Sequence, residues 1–509
     1  MTRRGCRSIP ALRLLVAAIG VALSATDAGS QASPLISDQQ LRAVDSLVAK
    51  EFAKDSIGSI TVGIVAGSQL AWTRSYGFAD MKARRLANRN TVYRIASITK
   101  SFTAVMLMQL VQAGEVRLSD PVERFLPEVR KIRAAPPGAQ PFTFLQLATM
   151  TSGLAREPDE EGRFWKGPFA DWEKQLLAAL PRTSYQSVPG TEYAYSNIGY
   201  AILGSALARA AGEPYVDWQR SKLLEPLGMH RTRFEIDSTI AGDLAVGYDI
   251  NDDGTVDDLT ATKEIREGRG YKIPNGAIFT TVDDLARFVS FELGRGPAAV
   301  LSRAALDDAF DGLVATNPGL DRGYGLGFMA MRRDDPDPFV YMGHSGNFVG
   351  YNASMWFHRQ MQLGVVLFRN VTGGRQDPDR LAVDILESLV KARQGAIRAD
   401  INDRFKTQKA APGSEVALRR IIEQLRTGTP DYDLMGPALA RRVRRELAAE
   451  QAAIAALGAL TSITFKRVGA AGPNFYEARF EKGAQEWRIW LNPEGNVDFF
   501  THRTIATPR

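Results

Sequence analysis

A serine and a lysine stand three residues apart in Tyr93-Arg94-Ile95-Ala96-Ser97-Ile98-Thr99-Lys100-Ser101-Phe102, at the mouth of a long apolar run. A serine hydroxyl is nearly inert at neutral pH unless a neighbouring base takes its proton. A lysine in a partly desolvated site, with its pKa pulled down, supplies that base or keeps another base deprotonated. The pair therefore has the makings of a nucleophile for attack on a carbonyl. After it come Phe102, Val105, Met106, Leu107, Leu110 and Val111, up to Gly114, which predicts one long helix, apolar over most of its circumference and closed by a glycine cap. Positions i and i+3 share a helix face, so Ser97 and Lys100 point into the same space. The unpaired N–H groups of the helix start lie where negative charge develops on an attacked carbonyl.

Two further stretches carry chemistry. Pro189-Gly190-Thr191-Glu192-Tyr193-Ala194-Tyr195-Ser196-Asn197 joins a Pro-Gly turn to an apolar helix from Ile198 to Ala211, so that the phenol of Tyr195 and the amide of Asn197 face one cleft. Beside a lysine ammonium, Tyr195 is expected to ionise below its ordinary pKa. Gly343-His344-Ser345-Gly346-Asn347 comes close to a Gly-x-Ser-x-Gly nucleophile elbow and fails at Asn347. Placed between two strands, it suits the lining of a substrate groove, with Gly346 letting a carbonyl approach the backbone.

The chain of 509 residues exceeds one ordinary core, and 45% hydrophobic with 24% charged residues fits a globular class. Residues 1–32 differ: Arg3, Arg4, Arg7 and Arg13 precede the apolar run Leu14 to Leu23 and then small residues through Ala32, a signal-peptide pattern. Secretion or periplasmic delivery without an integral membrane span is expected. Losing four arginines and one aspartate takes the formal charge from +6 to +3, so basicity gives no reason to expect nucleic acid. Cys6 is the only cysteine, and histidines stand only at 230, 344, 358 and 502, which leaves no His-x-x-x-His pair. Asp249 to Asp257 resembles the start of a calcium loop, but Thr260 stands where the bidentate glutamate belongs, and a polar hairpin turn is the better description. No metal or cofactor is expected.

The remaining elements follow from periodicity. A helix is expected over 35–55, capped at Asp38, then a hairpin of Ile60 to Val65 and Leu70 to Tyr76. Strand character returns at Tyr324 to Met331, Phe339 to Met342, Tyr351 to Phe357 and Gln362 to Phe368, followed by a helix from Pro378 to about Lys391. Residues 395–414 are polar and read as a linker, and 415–509 as a small α+β domain of two helices and four strands. The organisation is thus 1–32 signal peptide, 33–394 main domain, 395–414 linker and 415–509 C-terminal domain.

In this order, Ser97-Ile98-Thr99-Lys100, Tyr195-Ser196-Asn197 and His344-Ser345-Gly346 resemble the three motifs of the serine β-lactamase and penicillin-recognising hydrolase superfamily. The nearest likeness is to the class C-related branch of esterases, D-aminopeptidases and D,D-peptidases, over about residues 35 to 390. The resemblance implies an α/β (α+β) fold in which strands from both chain ends form one antiparallel sheet flanked by helices, with a mostly helical lobe from about residue 110 to 300. It implies Ser97 as the acylated nucleophile, Lys100 and Tyr195 as the proton-handling pair, and Asn197 as a ligand for the substrate amide or for Lys100. It places the oxyanion hole at the backbone N–H groups of Ser97 and Asn347, and His344, Ser345 and Gly346 along the substrate.

Two departures stand out. β-Lactamases usually open the third motif with lysine, whereas His344 is mostly neutral at pH 7. Met150, in Thr149-Met150-Thr151-Ser152-Gly153-Leu154, stands where relatives commonly have histidine. The expected activity is an exported serine hydrolase acting on an ester or amide, including D-amino-acid peptides, in a small-molecule or peptide substrate. A class C-type β-lactamase or D,D-peptidase, and a non-catalytic binder of peptidoglycan-like ligands, stay open as alternatives.

Overall fold

In the computed structural model, residues 35–160, 166–259, 268–310, 314–315, 322–331, 341–492 and 495–505 are described. The expected signal peptide lies outside them. Among the described residues no helix is long and apolar enough to cross a membrane.

Strands β1 (Ser59–Ala66) and β2 (Gln69–Asp80) form the expected hairpin, and β3 (Arg85–Leu86) extends it. Strand β4 (Tyr93–Arg94) leads to Ser97, β5 (Gly247–Ile250) and β6 (Val256–Leu259) form the polar hairpin foreseen around Asp252, and β7 (Phe279–Thr280) pairs with β4. Then come β8 (Val314–Ala315), β9 (Arg322–Tyr324), β10 (Met329–Met331), β11 (Tyr341–Phe348), β12 (Tyr351–His358) and β13 (Leu363–Arg369). Together they build a nine-stranded sheet in the order β3-β2-β1-β13-β12-β11-β10-β9-β8, whose pairings are antiparallel. Early and late strands thus share one sheet, as expected.

Its centre explains itself. Every residue of β1 and β13 is buried, because helices cover both faces. On one face Ile60, Val62, Ile64, Leu363, Val365 and Leu367 pack with Val44, Val48, Leu381 and Ile385. On the other, a side chain at Gly63 would strike Val282, and one at Gly364 would strike Val289. These two glycines let the Val282–Ser290 helix settle directly on the strands. Each large aliphatic side chain so buried contributes roughly 1.5–3 kcal/mol.

Four expectations need correction. Ser37, not Asp38, caps the first helix, accepting from the Gln40 N–H in a capping box, and the helix runs Asp38–Phe52. Tyr324 to Met331 is no single strand, since Gly327 at φ 78° turns β9 back into β10. The third motif does not sit between strands but inside β11. The polar stretch 395–414 is helical to Thr407, because the helix begun at Pro378 runs on for 30 residues. Its polar half lacks apolar periodicity, yet Arg404 pairs with Asp400 one turn back at 2.7 Å and donates to Gly472 O at 3.2 Å.

Before that helix, β14 (Val371–Thr372) pairs with β5; beyond it, β15 (Leu460–Val468), β16 (Asn474–Phe480), β17 (Gly483–Leu491) and β18 (Val497–Ile505) make a separate antiparallel sheet in sequence order. Alternation buries Tyr476, Ala478 and Phe480 of β16 against helices Ser414–Thr427 and Pro437–Ala455, around Trp487 and Leu418.

Candidate active site

Ser97 lies in a three-residue 3₁₀ turn, Ala96–Ile98, ahead of the Thr99–Ala113 helix. The single helix expected from Ser97 onward therefore starts two residues later. Two contacts anchor the turn. Ile95 N–H donates to Ile278 O at 2.9 Å, and Ile278 N–H donates to the Thr99 hydroxyl at 3.2 Å. Ala96 is held at φ 42°, a left-handed conformation costly for alanine. Ser97 remains half-buried while its neighbours Ala96 and Ile98 are buried.

The helix behind it has twelve of fifteen residues buried, Lys100 among them, and ends at Gly114 with φ 76°. Lys100 Nζ lies 3.2 Å from Ser97 Oγ, 2.7 Å from Asn197 Oδ1 and 3.0 Å from Asn275 O. Two of those partners are oxygens that only accept, whereas the serine hydroxyl can also donate. Lys100 donates to all three oxygens; once deprotonated, it would keep its N–H bonds to the amide and carbonyl oxygens and turn its lone pair to Ser97. Burial, first among the causes, holds the Lys100 pKa well below its ordinary value, with Lys272 and Arg156 pushing the same way and Glu157 opposing. A desolvated amine beside a hydroxyl is the requirement for deprotonating it.

The second motif is fixed from below. Ser196 caps the Asn197–Ala211 helix by accepting from Gly199 N–H at 3.0 Å, and its hydroxyl donates to Ala155 O at 2.7 Å. Ala194 N–H donates to Met150 O at 2.8 Å, and Ser196 N–H points at the Met150 sulfur at 3.2 Å. Met150 therefore shapes the loop that carries Tyr195. The Ser97 hydroxyl lies near enough to the Tyr195 phenol to favour its ionised form, and Lys100 Nζ lies 4.9 Å from the centre of its ring. The expected fall in its pKa is wrong in sign: burial outweighs the nearby Ser97 hydroxyl and Arg156 and pushes it up. Tyr195 stays a phenol.

Strand β11 passes the Ser97 turn closely. A Cβ on Gly346 would lie 2.0 Å from Ile95 O and 3.1 Å from Ser97 N, so only glycine permits this approach. Strand β10 pairs only with Tyr341 to Gly343, leaving the segment from His344 to Phe348 without a β10 partner on that side. Ser345 is half-buried and Asn347 exposed there, with Asn347 Nδ2 donating to Asn352 Oδ1 at 2.7 Å. His344, expected along the substrate, is fully buried instead. Its Nδ1 lies 2.6 Å from Ser345 O and its Nε2 3.1 Å from the Tyr324 hydroxyl, so Nδ1 carries the proton and Nε2 accepts. Burial and the nearby Lys100 lower its pKa to about 3.

Five participants were not legible in the sequence. Asn275 supplies a carbonyl to Lys100, and Tyr324 a hydroxyl to His344. Glu157 accepts from Asn197 Nδ2 at 2.6 Å, from Lys272 Nζ at 3.0 Å and from the Tyr271 hydroxyl. Their separations exceed any local pattern; the only available signal was the position of Glu157 three residues beyond Leu154.

Known proteins resemble this chain in sequence and in fold. A family model described as Beta-lactamase matches residues 44–389. Beta-lactamase-like protein 2 of Dictyostelium discoideum is 30% identical over 336 residues, 64% of this chain and 58% of its own length. D-alanyl-D-alanine-carboxypeptidase/endopeptidase AmpH of Escherichia coli (strain K12) is 32% identical over 216 residues, 38% of this chain and 53% of its own. The crystal structure of a class C beta lactamase superposes with a TM-score of 0.57 at 21% identity, covering 70% of this chain and 98% of that one, a likeness of fold.

Proposed function

The chain belongs to the beta-lactamase family, a family of serine hydrolases with D-alanyl-D-alanine carboxypeptidase relatives, and on that premise we propose that it is an exported hydrolase forming an acyl-enzyme on Ser97. The observation that carries this reading is the Lys100 amine 3.2 Å from Ser97 Oγ with its other two partners obligate acceptors. Ser97 Oγ attacks the carbonyl carbon of an ester or amide while its proton passes to the Lys100 lone pair. The oxyanion that forms is met by the backbone N–H groups of Ser97 and Asn347. Collapse expels the alcohol or amine, which takes a proton delivered from Lys100 through the Tyr195 phenol. Water, deprotonated by the same pair, then attacks the acyl carbon and frees the acid and Ser97. Tyr195, kept protonated by burial, suits a donor and relay rather than a standing base.

Asn197, Ser345 and the β11 backbone border the substrate, while His344 acts behind them. The absence of a lysine at 344, and the burial of the neutral imidazole there, favour esters and peptides over β-lactams. A panel of p-nitrophenyl acetate, D-amino-acid peptides and nitrocefin tests this directly. Ester or D-peptide turnover above nitrocefin turnover is expected; rapid nitrocefin hydrolysis would overturn the preference, and D-peptide binding without turnover or adduct would favour a binding protein.

A further inference from the structure

The Asn197 side chain stands between two groups with opposite demands. Its Oδ1 accepts from Lys100 Nζ at 2.7 Å and its Nδ2 donates to Glu157 Oε1 at 2.6 Å. A carboxylate only accepts and a lysine amine here donates, so rotating the amide by half a turn would set oxygen against oxygen and N–H against N–H. Glu157 is itself held from three directions, by Asn197, by the Tyr271 hydroxyl and by Lys272 Nζ at 3.0 Å. Both members of the Glu157–Lys272 pair are largely shielded, with side chains 17% and 14% exposed. An ion pair screened in this way acts on its surroundings far more than one on an open surface.

We propose that Glu157 is a positioning residue for the Ser97 chemistry: it fixes the Asn197 amide so that Oδ1 faces Lys100, and its charge, balanced by Lys272, tunes the Lys100 amine. This inference rests on Lys100 serving as the base for Ser97. Other elements also face that amine: the Tyr195 and Tyr200 rings, with Nζ 4.9 and 5.8 Å from their centres, the Asn275 carbonyl, buried His344, and Arg156, whose guanidinium lies 5.0 Å from the centre of the Tyr195 ring. Tyr195 is held neutral, and so is His344 at neutral pH. The charges left to shape the amine are the negative Glu157 and the positive Lys272 and Arg156. Glu157 favours the ammonium and Lys272 opposes it, in agreement with the directions found for Lys100. Neutralising the two partners therefore moves Lys100 in opposite directions, which a merely structural role would not do.

The test is a titration of Lys100 itself, in protein labelled with 13C at lysine Cε, with the resonance assigned by its loss in Lys100→Arg. Glu157→Gln, nearly isosteric, should lower the apparent pKa of Lys100 by about half a unit or more, and Lys272→Met should raise it by a similar amount. Glu157→Ala should lower it too and additionally cost turnover, because the amide is then free to rotate. The acidic limb of the p-nitrophenyl acetate pH–rate profile should follow, down for Glu157→Gln and up for Lys272→Met. Unchanged titrations, or shifts of the same sign in both variants, would overturn the proposal whatever the activity. Wild-type protein that turns over neither ester nor D-peptide, with the two variants still showing the opposed shifts, would sink the hydrolase assignment and leave the electrostatic coupling standing.

Discussion

Lys100 and Glu292 are both fully buried ionisable side chains, and they differ in what surrounds them. Lys100 meets a hydroxyl, an amide oxygen and a carbonyl contributed by residues 97, 197 and 275. Both carboxyl oxygens of Glu292 lack a hydrogen-bond partner among the described residues. The cation that acts on it, Arg359, is taken up by Asp307 at 2.6 Å and by the Glu292 backbone carbonyl at 3.0 Å. Burial pushes Glu292 up to about 8, as it pushes Lys100 down. Desolvation alone therefore perturbs a group without giving it work. What turns Lys100 toward catalysis is a half-buried hydroxyl within reach and two acceptors that can hold its remaining N–H groups once it is neutral.

Variants can break or sharpen that contrast. Ser97→Ala removes the group the amine serves, and kcat for p-nitrophenyl acetate should fall by about 10⁴-fold or more; residual activity near wild type would mean another nucleophile. Tyr195→Phe keeps the ring and removes the proton relay, for an expected loss of roughly 10²–10³-fold in kcat, read in the same assay. Gly346→Ala forces a methyl to within 2.0 Å of Ile95 O, so β11 and the Ser97 turn must separate. Displacement on that scale should cost on the order of 100-fold in kcat/KM and lower the melting temperature by a few degrees.

Glu292→Gln tests the other side, and its readout is stability. The folded pKa of Glu292, about 8, lies above its ordinary 4.5. Its neutral form therefore stabilises the fold fully below pH 4.5, and that contribution is lost as pH rises through about 8. Against the glutamine variant, wild-type melting temperature should drop by a few degrees between those limits and hold a constant offset above them. Parallel melting curves across this range would mean that Glu292 finds a partner when ionised.

How much of this was legible in sequence follows from distance along the chain. Ser97 and Lys100 are three apart, so helix geometry alone brings them together. Central strands β1 and β13 were readable because burial on both faces leaves continuous apolar runs, whereas β8, β9 and β10, at two or three residues each, carry too little pattern. Glu157 and Lys272 meet across 115 residues, a pairing that no local periodicity encodes. Tyr195 was misjudged for a related reason: its cationic neighbour could be argued from motif order, while its burial could not. The polar half of the Pro378–Thr407 helix looked like a linker because its contacts to Gly472 and to Val468, whose N–H lies 3.0 Å from Gln408 Oε1, come from the last hundred residues.

The most direct measurement is covalent. Wild-type protein treated with a fluorophosphonate and digested should carry a single phosphonyl adduct on the peptide containing Ser97, formed faster as pH rises through the depressed Lys100 pKa. An adduct on any other serine, or none on Ser97 in folded protein, would contradict the assignment of Ser97 and Lys100 as nucleophile and base.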